Sequence, residues 1–228
     1  MNRNYPGYLI SFEGNEGAGK TALVNSVYLW ITFGLGIKPI IAREPGGTKV
    51  GEQIRELLKD PRNTGIENWT EAFFFQGSRA EISAKVLIPA LKEGRIVLLD
   101  RFRDSTVAYQ GYARGLGCGR VDRLNELSTQ GLIPDLTILL DLPVEVGLER
   151  KKNSGKFERL DQMGRNFYDD VSYAYRTLAS FDDEGRWEVV DAYRHYGLVF
   201  RDVQLVIEKR LRDHNFLERE NSRDIERF

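Results

Sequence analysis

The chain has 228 residues, 41% of them hydrophobic and 29% charged, which indicates an ordinary globular protein and excludes a disordered, collagen-like or coiled-coil chain. Its 33 Lys and Arg residues and 34 Asp and Glu residues leave a net charge of −1, so no global basic field would attract nucleic acid or an anionic membrane. One cysteine, Cys118, and two histidines exclude an internal disulfide and an ordinary structural zinc site, and they favour a reducing, cytoplasmic location.

Five apolar runs predict buried strands, at residues 8–12, 37–42, 96–99, 136–140 and 187–190. Between them, helical patterns occupy residues 23–31, 50–59, 69–93, 105–112, 121–130, 168–181 and 198–211, with Pro89 as a kink in the longest. Because the strands are apolar throughout and helices separate them, we expect an α/β fold. In this fold helices flank both faces of a doubly wound, five-stranded parallel sheet.

No stretch rich in Pro, Gly or Ser divides the chain, so residues 1–212 are expected to form a single domain. The basic segment 150–165, with Gly155 near its middle, is expected to be a loop. Residues 213–228 are almost all polar and are expected to form a frayed or disordered C-terminal extension.

A glycine-rich motif lies between the first predicted strand and the first predicted helix. It consists of Gly14, Asn15, Glu16, Gly17, Ala18, Gly19, Lys20 and Thr21. In such a loop the backbone N–H groups turn toward phosphate oxygens, the lysine reaches the β and γ phosphates, and the hydroxyl faces Mg²⁺. The strand and helix on either side are the context this motif requires, so the sequence predicts a nucleoside triphosphate site.

A carboxylate at the end of a second buried strand commonly completes the metal site of such a loop. Asp100 and Asp141 each end a predicted strand. We favour Asp100 as the partner of Thr21, because Arg101 follows it and would place a cation at the same edge of the sheet. Asp141, which lies just before Pro143, is interpreted as a residue of the turn.

Three arginines point to a second anionic ligand. Arg43 and Arg101 follow predicted strands, and Arg79 lies on the long helix, so each is at or near the carboxyl edge of the sheet. A guanidinium binds phosphate through two parallel hydrogen bonds. The alternative is that all three are ordinary surface residues in salt bridges.

These motifs together resemble those of the thymidylate kinases, a family of P-loop kinases. The resemblance covers residues 8–211 and rests on the segments 12–14, 43–48, 75–79 and 100–110. It implies a P-loop kinase fold with a short mobile lid, and transfer of the γ-phosphoryl group of ATP to dTMP, giving ADP and dTDP for dTTP synthesis. It further implies Mg²⁺ as cofactor and a homodimer.

The resemblance also implies roles for individual residues. Phe75 would stack on the thymine ring, Arg79 would bond the base edge, and Arg43 and Arg101 would hold the dTMP phosphate. Tyr109 would select deoxyribose. Further substrate-binding residues would be Ser105, Thr106 and Gln110, which line the pocket, Pro45, which fixes the turn, Glu16 at the 3′-hydroxyl, and Arg194 against the adenine.

Catalysis in this family depends on neutralising the charge of two phosphorylated anions. Lys20, Arg101 and Glu16 would act at the phosphate loop, and a basic lid at about residues 150–165 would supply a further cation. We expect Arg159 to be that cation, with Lys156 second and Lys151 or Lys152 as alternatives. A solvated basic loop without a catalytic role is the alternative for the lid.

Two other functions remain open from the sequence. A kinase of dUMP or of a 5-modified dUMP would share every motif, since a methyl group contributes only about 1 to 3 kcal/mol to discrimination. A protein that binds ATP as a switch, without a small acceptor, would not need the arginines around the second pocket.

Overall fold

Five parallel strands form the sheet of the computed structural model, which describes residues 5–155 and 157–216. Strands β1 to β5 span Tyr8–Glu13, Ile40–Arg43, Ile96–Asp100, Leu136–Asp141 and Trp187–Asp191. Their order across the sheet is β2-β3-β1-β4-β5. The predicted α/β fold with a five-stranded parallel sheet is therefore confirmed.

Helices cover both faces of this sheet. Helices α1 to α9 span Lys20–Gly34, Lys49–Lys59, Asn68–Ile82, Ile88–Lys92, Arg103–Thr106, Cys118–Thr129, Val144–Asn153, Arg165–Ser180 and Tyr196–Asp213. Two π-helical segments, Ser83–Leu87 and Val107–Ala113, and a 3₁₀ turn, Arg159–Gln162, complete the helical structure described. None of the helices described is both long and apolar enough to cross a membrane.

The strands are apolar because each of their faces is buried against helices. Tyr8, Ile10 and Phe12 of β1 pack on one face into a core shared with α1 and α9. Leu9 faces the opposite side and packs with residues of β3 and α4. This double burial is why the strand sequence is continuously apolar instead of alternating.

Two predicted elements differ in detail from the structure, and proline explains both. Strand β2 begins at Ile40 and not at residue 37, because Pro39 has no N–H group to donate to a neighbouring strand. In the long helix, the predicted kink at Pro89 is replaced by the preceding π-helical turn. There the N–H of Ile88 bonds the carbonyl of Ser83, five residues earlier, which leaves room for the proline ring.

The prediction of a loop at residues 150–165 is wrong for much of that segment. Residues 150–153 continue α7, residues 159–162 form the 3₁₀ turn, and α8 begins at Arg165. At the C-terminus, α9 extends to Asp213, and Phe216 is buried with its ring 6.2 Å from that of Tyr8. The predicted extension is thus packed at least as far as Phe216, and its residues 217–228 lie outside the described part of the chain.

The strand order places a cleft at the carboxyl end of β1. The chain leaves β1 to build β2 and β3 on one side, and then crosses to build β4 and β5 on the other. Ligands of open parallel sheets bind at such a reversal point, outside the carboxyl ends of the strands. The glycine-rich loop, Asp100 and Arg101 all lie at this edge.

Candidate active site

The glycine-rich loop folds around the amino group of Lys20. Nζ of Lys20 donates hydrogen bonds to the carbonyl oxygens of Gly14 at 2.9 Å and Asn15 at 2.8 Å. Gly19 has a left-handed φ of 89°, and α1 begins at the next residue, so the first N–H groups of the helix face the loop. Burial and the neighbouring Arg101 lower the pKa of Lys20 to about 8. Amide donors and a cation thus meet in one loop, which suits a bound phosphate.

The hydroxyl group of Thr21 lies against the carboxylate that ends β3. Its Oγ1 donates a hydrogen bond to Oδ2 of Asp100 at 2.5 Å. Asp141, at the end of β4, instead accepts hydrogen bonds from Nε of Arg176 at 3.0 and 3.1 Å. Of these two strand-end carboxylates, Asp100 is therefore the one beside the phosphate loop.

Arg101 connects the phosphate loop to the opposite wall of the cleft. Its Nη1 donates to the carbonyl of Gly14 at 2.9 Å, and its Nη2 donates to Oε1 of Glu16 at 2.6 Å. The guanidinium also lies over the ring of Tyr109, 5.1 Å from the centroid, and donates to its hydroxyl at 3.2 Å. Burial opposes the ionisation of Glu16, but Arg101 and Lys20 outweigh it and lower the pKa of Glu16 to about 2.

A buried carboxylate, Glu13, supports the turn that carries Arg101. Arg101 has a φ of 66°, a left-handed conformation that costs a non-glycine residue about 1 kcal/mol or more. Oε1 of Glu13 accepts the N–H of Phe102 at 2.8 Å, and Oε2 accepts the hydroxyls of Ser105 at 2.6 Å and Tyr175 at 2.9 Å. Burial raises the pKa of Glu13 to about 7. Sequence reasoning gave Glu13 no role, although an acidic residue ending an apolar strand is a detectable signal.

Arg43 ends β2, and the turn that follows contains a cis peptide bond before Pro45. Nη2 of Arg43 pairs with Glu52 of α2 at 2.9 Å, and Glu52 also accepts the N–H of Gly47 at 2.8 Å. From the same helix, Nη1 of Arg55 donates to the carbonyl of Pro45 at 2.7 Å. Sequence reasoning missed Arg55. It lies one turn after Glu52 on the helix face that contacts this turn, which is the signal that could have found it.

Arg79 is buried, with 1% of its surface exposed, and all three of its guanidinium nitrogens donate hydrogen bonds. Its Nε and Nη2 pair with Glu44 at 2.7 Å, and Nη2 also donates to the carbonyl of Phe102 at 3.1 Å. Nη1 donates to Thr106 and Asn125, both at 2.8 Å. Each of the three guanidinium nitrogens therefore has a protein partner. These partners compete with the predicted contact of Arg79 with a base edge.

The remaining predicted pocket residues lie on α3 and on the segment 103–113. Phe75 is half-buried, one turn before Arg79. Gln110 is buried, and its Nε2 donates to Oε1 of Glu71 at 2.8 Å. Glu71 also binds Arg114 at 3.0 Å and Arg159 at 2.6 Å.

The predicted lid is bound to α2 and α3 through Arg159. Its Nε donates to the carbonyl of Leu58 at 2.8 Å while its Nη2 pairs with Glu71, so its described contacts are not with the phosphate loop. The expectation that Arg159 contacts the transferred phosphoryl group is thus not matched by this arrangement, because its guanidinium is bonded to Leu58 and Glu71. Lys156 lies outside the described residues.

Among the described residues of the lid, Lys151 is a cation that acts on Glu16 of the phosphate loop. Against the effect of burial, its charge joins those of Arg101 and Lys20 in lowering the pKa of Glu16. Lys151 lies 3.5 Å from Asp161 and 3.7 Å from Glu158 within the lid, and 15% of its side chain is exposed.

A cavity of about 190 Å³ opens beside the phosphate loop. Its walls include Ala18, Gly19, Leu23, Ala192 and two arginines, Arg150 and Arg194. The apolar floor and the guanidinium groups suit a flat heteroaromatic ring. Arg194 forms an ion pair with Asp202.

The fold and the site together define a class of protein. A parallel sheet carries a glycine-rich phosphate loop with a ring-sized cavity beside it. Two further arginines lie next to the neighbours of Arg101, since Arg43 pairs in register with Asp100 and Arg79 donates to the carbonyl of Phe102. This is the arrangement of a kinase that uses a nucleoside triphosphate and a second phosphorylated ligand.

Comparison with known proteins identifies the family. The family model for thymidylate kinase matches residues 12–203. A thymidylate kinase of Limosilactobacillus fermentum is 42% identical over 91% of this chain and 97% of its own length, and one of Desulforudis audaxviator is 41% identical over 84% and 86%. The crystal structure of a thymidylate kinase from Ehrlichia chaffeensis superposes with a TM-score of 0.72 at 29% identity, covering 88% of this chain and 98% of that one. The chain belongs to the thymidylate kinase family of phosphotransferases.

Proposed function

We propose that the protein transfers the γ-phosphoryl group of ATP to dTMP, yielding ADP and dTDP for dTTP synthesis. The position of Arg101 carries this proposal, because its guanidinium contacts both the Gly14 carbonyl of the phosphate loop and Tyr109 on the acceptor side. A cation at that point meets the phosphates of both nucleotides. Because phosphoryl transfer needs alignment and charge neutralisation more than covalent chemistry, such a cation acts directly on the reaction.

On the donor side, residues 14–21 bind the phosphates of ATP through their backbone N–H groups. Lys20 exchanges its carbonyl partners for β and γ phosphate oxygens, and the adenine occupies the cavity lined by Ala18 and Arg194. Glu16 holds Arg101 in place through its ion pair and lies toward the sugar of the acceptor.

Thr21 and Asp100 fit a magnesium site. Their oxygens lie 2.5 Å apart at the edge of the phosphate loop. In the described part of the chain, no group of three or more His, Cys, Asp or Glu residues is arranged to hold a metal alone. Mg²⁺ suits such a place, because proteins commonly hold it through one or two oxygen ligands together with substrate phosphates. When bound, the ion neutralises charge on the β and γ phosphates.

On the acceptor side, Arg43 and Arg101 hold the dTMP phosphate, and Pro45 shapes the turn that presents Arg43. Arg55 reinforces that turn through its bond to the Pro45 carbonyl. Phe75 stacks on the base. Tyr109 lies beneath the deoxyribose, and Ser105, Thr106, Gln110 and Arg79 complete the wall of the pocket.

We further propose that the protein is a cytoplasmic homodimer that pairs through α3 and the π-helical segment after it. Phe73, Gly77, Ala80 and Ala84 form an exposed stripe at spacings of four, three and four residues, and Phe73 is 56% exposed. Small residues at this spacing let two helices approach closely, and the aromatic ring supplies apolar area. The measurement is the mass in solution by light scattering, where Phe73→Glu is expected to give a monomer.

A coupled assay of ADP release tests the activity. Purified protein with ATP and Mg²⁺ receives dTMP, dUMP, dCMP, UMP or dGMP in turn. We expect dTMP to stimulate release most strongly. Stronger stimulation by dUMP than by dTMP would show that the protein is a kinase of a different pyrimidine monophosphate. Release of ADP that does not depend on any monophosphate would show that it is an ATP-dependent switch and not a kinase.

A further inference from the structure

Glu71, a buried carboxylate outside the phosphate loop, binds side chains from two other parts of the chain. It is 1% exposed on α3. Oε1 accepts Nε2 of Gln110 at 2.8 Å and Nε of Arg114 at 3.2 Å, while Oε2 accepts Nη2 of Arg114 at 3.0 Å and pairs with Nη2 of Arg159 at 2.6 Å. The two guanidinium groups come from the end of a pocket helix and from the lid, and Glu71 joins them.

Glu71 is ionised in this arrangement. Burial opposes its ionisation, but Arg114 and Arg159 outweigh that effect and lower the pKa of Glu71. An ionised carboxylate has no proton to donate and can only accept hydrogen bonds. The amide of Gln110 must therefore turn its NH₂ group toward Glu71, because the opposite orientation would bring two acceptor oxygens together.

This constraint fixes where the other end of the amide lies. None of the described residues donates a hydrogen bond to Oε1 of Gln110. This oxygen is also not among the side-chain oxygens that lack both a hydrogen-bond partner and contact with solvent. Gln110 shares its helical segment with Tyr109, and Thr106 lies one turn earlier against Arg79. The carbonyl of Gln110 is thus an available acceptor at the wall of the acceptor pocket.

Pyrimidines differ in the group that would meet this acceptor. Thymine and uracil carry a hydrogen on N3 and donate there, whereas N3 of cytosine is an acceptor. An amide held with its oxygen toward the base bonds the first two and repels the third. A site whose polar group is left unpaired by the wrong ligand discriminates strongly.

We propose that Glu71 is a positioning residue that determines base specificity by locking the amide of Gln110 so that its carbonyl accepts the N3 hydrogen of thymine. The inference rests on the proposed function, because it requires a pyrimidine monophosphate in this pocket. Arg114 and Arg159 contribute by keeping the carboxylate of Glu71 charged. Because Arg159 belongs to the lid, contact between the lid and Glu71 supports discrimination between bases.

The test compares kcat/KM for dTMP and dCMP in the full-length enzyme and in Glu71→Gln. Glutamine retains the volume of the side chain but can present either an oxygen or an NH₂ group, so the amide of Gln110 becomes free to rotate. We expect the ratio of dTMP to dCMP activity to fall about tenfold or more. A fall in both activities by one common factor would overturn the proposal, because a purely structural role predicts it.

A double-mutant cycle shows whether Glu71 acts through Gln110. In a Gln110→Met background, Glu71→Gln should leave the ratio unchanged, and independent, additive effects would refute the mechanism. Asp104→Asn is the matched control, since Asp104 is also a buried carboxylate paired with an arginine, Arg186 at 2.8 Å, and it should preserve the ratio.

If Glu71→Gln does not fold, Glu71→Asp serves instead. It retains the charge between the arginines but withdraws the carboxylate from Gln110, so the ratio should still fall, and an unchanged ratio overturns the inference. Failure of the proposed function gives a different result, because the unmutated enzyme would then show no release of ADP stimulated by dTMP.

Discussion

The donor and acceptor halves of the cleft are built in different ways. The donor half is built around eight consecutive residues, 14–21, and its central cation Lys20 bonds backbone carbonyl oxygens. The acceptor half is assembled from segments that lie far apart in the chain, and its cations Arg43, Arg79 and Arg114 bond carboxylates. Arg79 pairs with Glu44 across 35 residues, and Arg114 pairs with Glu71 across 43.

This difference has a physical consequence. A cation held by backbone oxygens can leave them for a phosphate without stranding a buried charge. A buried arginine paired with a buried glutamate cannot move in this way, because an unpaired charge in the interior is strongly destabilising. We therefore expect donor residues to affect mainly turnover, and acceptor residues to affect both the fold and the pocket.

The largest expected effect is on stability, from Arg79→Met. The substitution leaves Glu44, whose side chain is 3% exposed, without its cation. We expect the free energy of unfolding in urea to fall by about 3 to 5 kcal/mol. The double variant Arg79→Met with Glu44→Met should recover most of that loss, and a stable single variant would contradict the contrast between the halves.

Lys20→Met should show the opposite pattern. Both of its carbonyl partners keep another donor, since Gly14 also accepts from Arg101 at 2.9 Å and Asn15 accepts the N–H of Ala18 at 3.4 Å. We expect kcat to fall by about 10² to 10³. The free energy of unfolding should change by no more than about 1 kcal/mol. The coupled assay gives kcat and titration calorimetry gives dTMP affinity, which should be retained. A loss of stability like that of Arg79→Met would remove the distinction.

The same difference governs what the sequence could predict. The phosphate loop is contiguous, so its motif, its place between β1 and α1, and the adjacent Asp100 were all readable from the sequence. The parallel sheet was also predictable, because burial on both faces leaves continuously apolar strands. Local signals of this kind survive in a single sequence.

The acceptor half was predicted only as a set of residue types. Arg79 was recognised as important, but its pairing with Glu44 depends on long-range packing that no local pattern encodes. For the same reason Glu13 and Glu71 received no role, and Arg159 was expected at the phosphate loop although it binds Glu71. A charged residue's partner is decided by the tertiary fold, and spacing along the chain does not reveal it.

Glu13 lies between the two halves and gives a pH-dependent prediction. Asp104, Arg101 and Tyr175 face it, and burial together with Asp104 raises its pKa from an ordinary 4.5 to about 7. Between these values the folded protein binds a proton that the unfolded chain has released. The associated stability is therefore fully present below about pH 4.5 and is lost as the pH rises through about 7.

Glu13→Gln should remove this dependence. From about pH 5 to about pH 7, the unfolding free energy of the unmutated protein should decline by about 2 kcal/mol relative to the variant. Urea unfolding at a series of pH values measures the difference. Parallel curves for the two proteins would show that Glu13 keeps one protonation state throughout, and that the turn bearing Arg101 is insensitive to pH.

The smallest effect concerns the lid, which spans both halves through two different cations. Lys151 lies near Glu16 of the phosphate loop, and Arg159 pairs with Glu71 beside the acceptor pocket. Lys151→Ala should lower kcat about tenfold with little change in KM for dTMP, since it removes charge stabilisation at the donor phosphates. Arg159→Ala should chiefly raise KM for dTMP, because it loosens the lid from the pocket.

Lys152→Ala is the control for this pair, since Lys152 is an exposed neighbour on the same helix and should change neither constant. Steady-state kinetics with each substrate varied in turn separates the two effects. If Arg159→Ala lowered kcat far more than Lys151→Ala while preserving KM, Arg159 would have to leave Glu71 during turnover. Arg159 would then act with the donor half, and the lid would no longer divide into a donor cation, Lys151, and an acceptor cation, Arg159.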